Sequence, residues 1–221
     1  MLSHYKELVE ELESDWEIKL IAVGSEGNCS RRLATRNGWE YLEHPNKPYW
    51  KKFNCGVRFA QDWEPDFVMA TGSDEIVNRS LFDSYKTAID YSCVNFLGTL
   101  DYYIFDTIGR RIKFWKGYTC KRSGETAGPW RMLGKDLLDQ LDWTLYDETA
   151  GAEGMFIDGS MELRLAKCKD LKRKVFRCRE INAKPIQMKC EISLNDYGAF
   201  EGESVKPKDY LPKAIMEKWP C

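Results

Sequence analysis

Three short apolar runs alternate with helical patterns across residues 18–89, and this alternation constrains the fold more than any other feature of the chain. Ile18–Val23 reads as a buried strand leading into the turn Gly24–Asn28. Ser30–Asn37 has the spacing of a short helix closed by Gly38, and Trp39–Leu42 reads as a second strand. Lys51–Trp63 is helical through Phe53, Val57 and Ala60. Phe67–Thr71 is a third strand that runs into Gly72-Ser73-Asp74-Glu75, and Ser80–Ile89 sets Leu81, Tyr85, Ala88 and Ile89 on one helical face. Apolar residues three and four apart mark helices, and short unbroken apolar runs mark buried strands. Strands and helices in this order predict an α/β fold with parallel βαβ units. Ligands in such sheets bind beyond the carboxyl ends of the strands. The Gly24 turn and the Ser73-Asp74-Glu75 turn are therefore expected at one edge.

The pattern changes after residue 90. Cys93–Leu97, Asp101–Phe105 and Arg111–Trp115 read as strands with hairpin-like connections, and Gly134–Leu141 as a helix. Gly154–Cys168 holds a further helix opening near Asp158, Met188–Ile192 a strand, and Asp209–Trp219 a terminal helix after Pro207. The acidic segment Met1–Trp16 is helical in pattern and lacks the basic start and apolar centre of a signal peptide. No repeat and no Pro/Ser/Gly linker divides the chain, so a single domain over 1–221 is expected.

Composition excludes some function classes. With 43% hydrophobic and 13% aromatic residues the chain is not of disordered type. No apolar run approaches the roughly 20 residues of a membrane span, so no transmembrane segment is expected. The 33 Lys+Arg against 35 Asp+Glu give a net charge of -2, which announces no polyanion. Locally the balance differs: residues 107–180 hold 16 basic and 11 acidic residues, and Arg164–Arg179 holds eight basic residues against Asp170 alone. That stretch reads either as a solvated helix end and loop or as a patch for a phosphate-bearing acceptor. The eight cysteines form no CxxC pair and only His4 and His44 are present, which argues against a paired-ligand zinc site. Free thiols in a reducing cytoplasm are expected.

Three constellations could carry chemistry. Asp74 with Glu75 follows an apolar strand, where a carboxylate is rigidly placed yet faces solvent and can hold a hard divalent cation; an acidic turn before a helix also serves as a cap. The run from Asn46 through Lys47, Tyr49, Lys51, Lys52, Asn54 and Gly56 sets cations and amides at a helix entry, suited to phosphates or to an ordinary basic helix. The third comprises Gly128–Leu133 with Trp130 and Arg131, then Leu137–Trp143, then Gly154–Leu165 with Asp158 opening a helix and Arg164 six residues on.

Taken in this order, the three resemble a GT-A glycosyltransferase and are similar to the family 2 glycosyltransferases of bacterial or phage type, over roughly residues 17–168. Ile18–Val23 and its turn look like the family's first nucleotide-contacting strand. Asn54-Cys55-Gly56 is similar to its Asn-x-Gly helix start, and Phe67–Asp74 to the strand ending in its metal-binding acidic motif. Ile157–Arg164 resembles its Glu-Asp-x-Asp-Leu-x-x-Arg segment. The departures are specific: Gly72 or Ser73 stands where a first acidic residue is usual, Ile157 replaces the Glu, and Ser160 replaces the second Asp, with Glu153 four residues upstream.

The resemblance implies a GT-A-like (Rossmann-like) nucleotide-diphospho-sugar transferase fold with a mostly parallel central sheet and a mixed C-terminal half. About 17–90 would bind nucleotide sugar, about 91–180 would hold the acceptor and catalytic half, and 181–221 would be an extension. It implies a metal-dependent transfer from a nucleoside diphosphate sugar, UDP-sugar first, to an acceptor hydroxyl, with inversion. Val23, Gly24, Ser25, Lys47, Lys52, Asn54, Ser73 and Asp74 would bind the donor; Asp74 and Glu75 would hold Mn2+ or Mg2+. Asp158 would be the general base, and Trp130, Arg131 and Arg164 would contact the acceptor: a glycan, a lipid-linked sugar or a nucleic-acid base. The expected location is the cytoplasm, of a host if phage-encoded. A nucleotidyltransferase of similar fold and a degenerate nucleotide- or glycan-binding protein are the competing readings.

Overall fold

The computed structural model describes residues 1–147, 157–189, 200–205 and 207–216. Helix α1 (Leu2–Leu12) buries His4, Tyr5, Leu8 and Leu12 on one face. Strand β1 (Ile21–Gly24), helix α2 (Asn28–Arg36) and strand β2 (Glu40–Glu43) form the expected parallel βαβ unit, with Ile21 opposite Glu40 and Gly24 opposite Glu43. Helix α3 (Tyr49–Ala60) follows, then β3 (Phe67–Met69), β4 (Glu75–Ile76) and helix α4 (Arg79–Tyr91). The second half contributes β5 (Phe96–Thr99), β6 (Tyr102–Asp106), β7 (Arg111–Trp115) and β8 (Met132–Gly134). Helices α5 (Lys135–Gln140) and α6 (Ile157–Leu165), strands β9 (Arg173–Phe176), β10 (Ile186–Lys189) and β11 (Phe200–Val205), and helix α7 (Lys213–Met216) complete the described elements.

The strands form three sheets, ordered β1-β2, β3-β8-β5-β9 and β11-β7-β6-β10-β4. Parallel pairing joins β1 to β2, β5 to β9 and β6 to β10. The other pairs are antiparallel, including β3 with β8. The α/β class holds, with more antiparallel pairing than the strand–helix spacing of residues 18–89 implies. In the β3 sheet the reason is β8, a three-residue strand that inserts beside β3 and β5 and runs against both; in the other sheet it is the β6–β7 hairpin and the antiparallel pairs β7–β11 and β4–β10.

Side-chain alternation along the strands divides the core. Tyr102 and Ile104 of β6 pack under α1 and α4 with Leu12, Leu81 and Tyr85. Their neighbours Tyr103 and Phe105 point to the opposite face, against Ile112, Ile186, Leu211 and Ile215. Phe96 and Leu97 of β5 divide in the same way, Phe96 joining Trp50, Leu133, Leu137 and Leu165. A strand covered on both faces reads as a continuous apolar run, because successive side chains leave on opposite sides.

Two glycines set the packing of the β1 unit. A side chain at Gly56 of α3 would meet Val23 at 2.7 Å, and one at Gly24 would meet the Tyr41 ring at 2.4 Å. A Cβ at either position would force the facing Val23 or Tyr41 side chain to shift, so both glycines favour the close approach of α3 and β2 to β1. Asn54 lies in the middle of α3, not at a helix start, and is wholly buried. Its amide donates to the Tyr146 carbonyl at 2.9 Å and its oxygen accepts the Tyr146 N–H at 3.0 Å.

Other boundaries shift. The Arg164–Arg179 stretch is not a plain helix end and loop, since it contains β9, the exposed edge of its sheet. Lysines on an edge strand oppose unwanted strand pairing, which gives that basic run a structural reason. The strand expected over Met188–Ile192 is β10, and residues 190–192 lie outside the described residues. The terminal helix shortens to a 3-10 turn, Pro207–Asp209, and α7; residues 217–219 also lie outside. The six described cysteines, at 29, 55, 93, 120, 168 and 178, are unpaired.

Asn54→Ala would leave both Tyr146 backbone groups without their amide partner in a buried setting. A buried group stripped of its partner costs about 1–3 kcal/mol. Urea denaturation should show a loss of that order or greater, and a loss under about 0.5 kcal/mol would mean the segment re-pairs elsewhere.

Candidate active site

A cleft of about 1510 Å³ separates the β1 unit from β3 and the turn that follows it. Val23, Gly24, Lys52, Ser73, Asp74 and Glu75 all line it. Residues of the two turns thus line one cleft, although β1, β3 and β4 belong to three different sheets and the turns do not share one sheet edge. Lys52, on α3, donates to Asn46 Oδ1 at 3.0 Å, so the basic side chain and the amide ahead of it act as a pair at the cleft wall. Ser25 and Lys47 stand off the lining.

Ser25 has another partner. Its hydroxyl donates to Glu26 at 2.9 Å, and the Ser30 hydroxyl donates to the same carboxylate at 3.0 Å. These hydrogen bonds, that from Ser25 first, hold the Glu26 carboxyl below its ordinary range. The N-terminal mouth of α2 therefore already has an anion beside it.

The acidic turn divides its two carboxylates. Asp74 faces outward and its Oδ2 lies 2.9 Å from Lys189 Nζ. Glu75 turns inward and is only 8% exposed. It accepts from the Thr71 hydroxyl at 3.0 Å and from the Gly72 N–H. Burial pushes its carboxyl up to about 7; the Asp74 charge adds to this, while the Gly72 and Thr71 hydrogen bonds and Lys189 oppose it. Two segments distant in sequence brace the turn. The Tyr5 hydroxyl donates to the Glu75 carbonyl at 2.9 Å, and the Met188 N–H donates to the Asp74 carbonyl at 2.6 Å.

This arrangement does not make the two-carboxylate Mn2+ or Mg2+ site expected of Asp74 and Glu75. Among the described residues no three His, Cys, Asp or Glu side chains gather to hold a metal ion. Asp74 is already neutralised by an ammonium, and buried Glu75 accepts through one oxygen from Thr71 and Gly72 while its other oxygen lies 3.5 Å from the Gln187 side-chain amide. A divalent ion on Asp74 would have Lys189 as its neighbour. Like unit charges at about 4 Å repel by roughly 4 kcal/mol at intermediate dielectric.

The residues expected to touch the acceptor are placed elsewhere. Trp130 and Arg131 are 0% and 1% exposed. Arg131 donates to the Thr126 carbonyl at 2.7 Å and hydroxyl at 2.9 Å and lies 3.5 Å from Glu162. The Trp130 carbonyl accepts the Tyr85 hydroxyl at 3.0 Å. Arg164 donates to the carbonyls of Thr144 at 3.0 Å and Leu141 at 2.7 Å. All three hold the core or its loops together and do not form an acceptor surface. Asn54 likewise lies off the cleft. Asp158 is the second residue of α6, its side chain lying outside the described part of the structure, as does Glu153 altogether.

Lys189 was not signalled by the sequence. It ends an apolar strand, and only the pairing of β10 with β4 and β6 brings it to a turn 115 residues earlier.

No protein-family model matches the chain, and no curated protein matches it. The chain is similar in structure to S. aureus TarS 1-349 in complex with UDP-GlcNAc, with a TM-score of 0.53 and 17% sequence identity. The match covers 95% of this chain and 60% of that one, so the chain spans less than two thirds of the TarS fragment. CMP:2-keto-3-deoxy-manno-octonic acid synthetase complexed with CTP aligns at a TM-score of 0.45 and 12% identity, over 98% of this chain and 85% of the other. The fold is α/β and GT-A-like, as in TarS. No described helix is long and apolar enough to cross a membrane.

Glu75 makes stability depend on pH. Its carboxyl titrates near 4.5 when unfolded and about 7 when folded, so the folded state holds the proton more tightly. The stabilisation is complete below pH 4.5 and is lost as pH rises through 7, by on the order of 3 kcal/mol. Glu75→Gln should abolish this fall between pH 5 and pH 8 in urea denaturation. An equal fall in the variant would assign the effect to other groups.

Proposed function

We propose that the chain is a glycosyltransferase that moves a sugar from a nucleoside diphosphate sugar, a UDP-sugar first, to an acceptor hydroxyl. The observation that carries this reading is the cleft, where the end of β1, Lys52 and the Ser73-Asp74 turn face one another. The fold shared with TarS, whose structure holds UDP-GlcNAc, supports it. A uridine can lie along the end of β1, with its diphosphate directed toward Lys52 and the acidic turn. Positive charge facing the leaving diphosphate lowers the barrier to departure, because charge develops there in the transition state. The acceptor hydroxyl must lose its proton as it attacks, a task for a carboxylate in hydrogen-bond reach. Asp158 is the residue proposed for it, and attack from the face opposite the leaving group inverts the anomeric carbon.

The competing nucleotidyltransferase reading requires a triphosphate beside the first turn. Glu26, with its lowered carboxyl pKa, sets a negative charge at the mouth of α2, which disfavours a triphosphate there. Pyrophosphate released from CTP would favour that reading over UDP released from a UDP-sugar. Donor bound without any turnover would favour the degenerate binding protein.

The first test is a thermal-shift series with UDP, UDP-GlcNAc and CTP. A ligand at a hundredfold excess over Kd stabilises by about 2.7 kcal/mol, which raises Tm by roughly 5–10 °C in a chain of this length. UDP compounds should shift Tm and CTP should not. A shift confined to CTP would overturn the proposal. Asp158→Asn should leave UDP affinity unchanged and lower transfer by about 10²–10⁴-fold. Wild-type transfer rates would remove Asp158 from the mechanism.

A further inference from the structure

Two strand edges face the cleft without partners. Among the described residues β1 pairs with β2 and β3 with β8, in different sheets. The Leu20 carbonyl accepts the Glu40 N–H and the Gly24 carbonyl the His44 N–H, both at 2.8 Å. Alternate residues of a strand address opposite neighbours, so the N–H and C=O groups of Lys19, Ile21 and Val23 turn away from β2. On β3 the Asp66 carbonyl accepts the Lys135 N–H at 2.8 Å, and Phe67 lies opposite Gly134. Asp66 and Val68 therefore address β8, and the backbone groups of Phe67 and Met69 turn away from it. Lys19, Ile21, Val23, Phe67 and Met69 all line the cleft. Among the described residues no hydrogen bond reaches their outward backbone groups.

The two edges belong to one layer. Ile18 and Leu20, like Phe67 and Met69, pack against the core under α1 and α4. On the other face Val23 meets α3 at Gly56, and α3 shares a core with Val68 and Ala70 through Val57. Lys19 Nζ lies 5.3 Å from the centre of the Trp63 ring, just ahead of β3, which sets the starts of both strands side by side. In β1 the residues that face α3, Ile21 and Val23, turn their backbone groups toward β3. In β3 the residue that faces α3, Val68, turns its own in the same direction, toward β8. Parallel neighbours of one sheet have this relation, because translation carries one onto the other.

We infer that β1 closes on β3 when the donor binds, joining β2-β1 to β3-β8 in one sheet. This rests on the donor reading of the cleft. In the closed state Ile21 stands beside Val68. The Ile21 N–H then donates to the Phe67 carbonyl, the Met69 N–H to the Ile21 carbonyl and the Val23 N–H to the Met69 carbonyl. Side-chain faces and hydrogen-bond directions agree in this one register. The cleft of about 1510 Å³ exceeds the roughly 300–1,000 Å³ of a small-ligand site, which leaves β1 room to move. Helix α3 stays in place, held at Tyr146 by Asn54 and at Thr144 by Arg58. Gly56 presents no side chain to Val23, so β1 can slide across that helix. Gly24 and the Ser73-Asp74 turn follow the two strands at their carboxyl ends. A ligand that touches both favours the state in which they stand closer.

The test follows backbone amide exchange in the full chain by NMR, with and without saturating UDP, and calorimetry to measure UDP binding. UDP should slow exchange of the Ile21 and Met69 amides about tenfold or more and leave that of Ala22, which addresses β2, within about threefold. A second measurement separates strand pairing from shielding by the ligand: Ile21→Cys combined with Val68→Cys, mildly oxidised, with the cross-link mapped by mass spectrometry. Paired strands bring these Cα atoms to about 5 Å, within disulfide reach, so UDP should speed this cross-link about tenfold or more. Bound UDP with unchanged exchange would overturn the inference and leave the donor reading standing. So would Ile21 and Met69 amides already protected without UDP, or slowed exchange without faster cross-linking. No UDP binding would remove the donor reading and this inference with it.

Discussion

The burial of Glu75 is the constraint on which the cleft depends. A carboxyl group taken out of water needs hydrogen-bond donors, or folding loses several kcal/mol. The turn provides them by curling back, so that the Gly72 N–H and the Thr71 hydroxyl reach the buried oxygen. That curl leaves the backbone carbonyls of the segment exposed to capture from outside. Tyr5 takes the carbonyl of Glu75 and His4 that of Val77, at 2.9 and 2.8 Å, which seats α1 against the turn. From the other side β10 pairs with β4, Gln187 opposite Glu75. Two segments remote in sequence, α1 and β10, thus converge on the turn that buries one carboxyl group. Its neighbour Asp74, in the turn that precedes β4, stays part-exposed and lines the cleft.

The α/β order of residues 18–89 was legible because burial leaves a period in the sequence. Helices α1, α3 and α4 bury one stripe each, and their spacing shows it. The strands that were missed carry no such record. Two-residue β4 is too short to have a period. At β9 the exposed edge reads Arg173, Lys174, Val175, and charge on an edge looks like loop. Met132–Gly134 is apolar, yet three residues cannot declare a direction, and its antiparallel run beside β3 follows from tertiary packing alone.

The candidate site was legible in part for a related reason. Residues at strand ends, Val23, Gly24, Ser73 and Asp74, could be placed because a strand's carboxyl end has a known destination in an α/β sheet. Lys52 followed from helix spacing. Asn54, Trp130, Arg131 and Arg164 were assigned to ligand contact because a polar or aromatic residue in a motif suits a ligand and a buried backbone group equally well. Only the fold decides between them. Arg131 finds the Thr126 carbonyl and Asn54 finds Tyr146, and a side chain so engaged inside the core has no surface to offer.

Those polar residues nevertheless bear on the chemistry through position. Asn54 and Arg58 of α3 hold the segment ahead of the undescribed residues at Tyr146 and Thr144. Arg164 of α6 holds the same segment at Thr144 and Leu141. The helix that brings Lys52 to the cleft and the helix that carries Asp158 are therefore tied through one stretch of backbone. Proton transfer and donor departure must be aligned to within a fraction of an ångström for their effects to combine. The helix proposed to face the donor and the helix proposed to bear the base, some hundred residues apart in sequence, share no direct covalent constraint that could secure this. Hydrogen bonds to a common backbone segment supply one: α3 holds it at Tyr146 and the Thr144 hydroxyl, α6 at the carbonyls of Thr144 and Leu141, so a shift of either helix strains a segment that the other also holds. The matched motif residues Asn54 and Arg164 thus act as ties that hold α3 and α6 to one segment of backbone, a role a motif alone cannot tell from ligand contact.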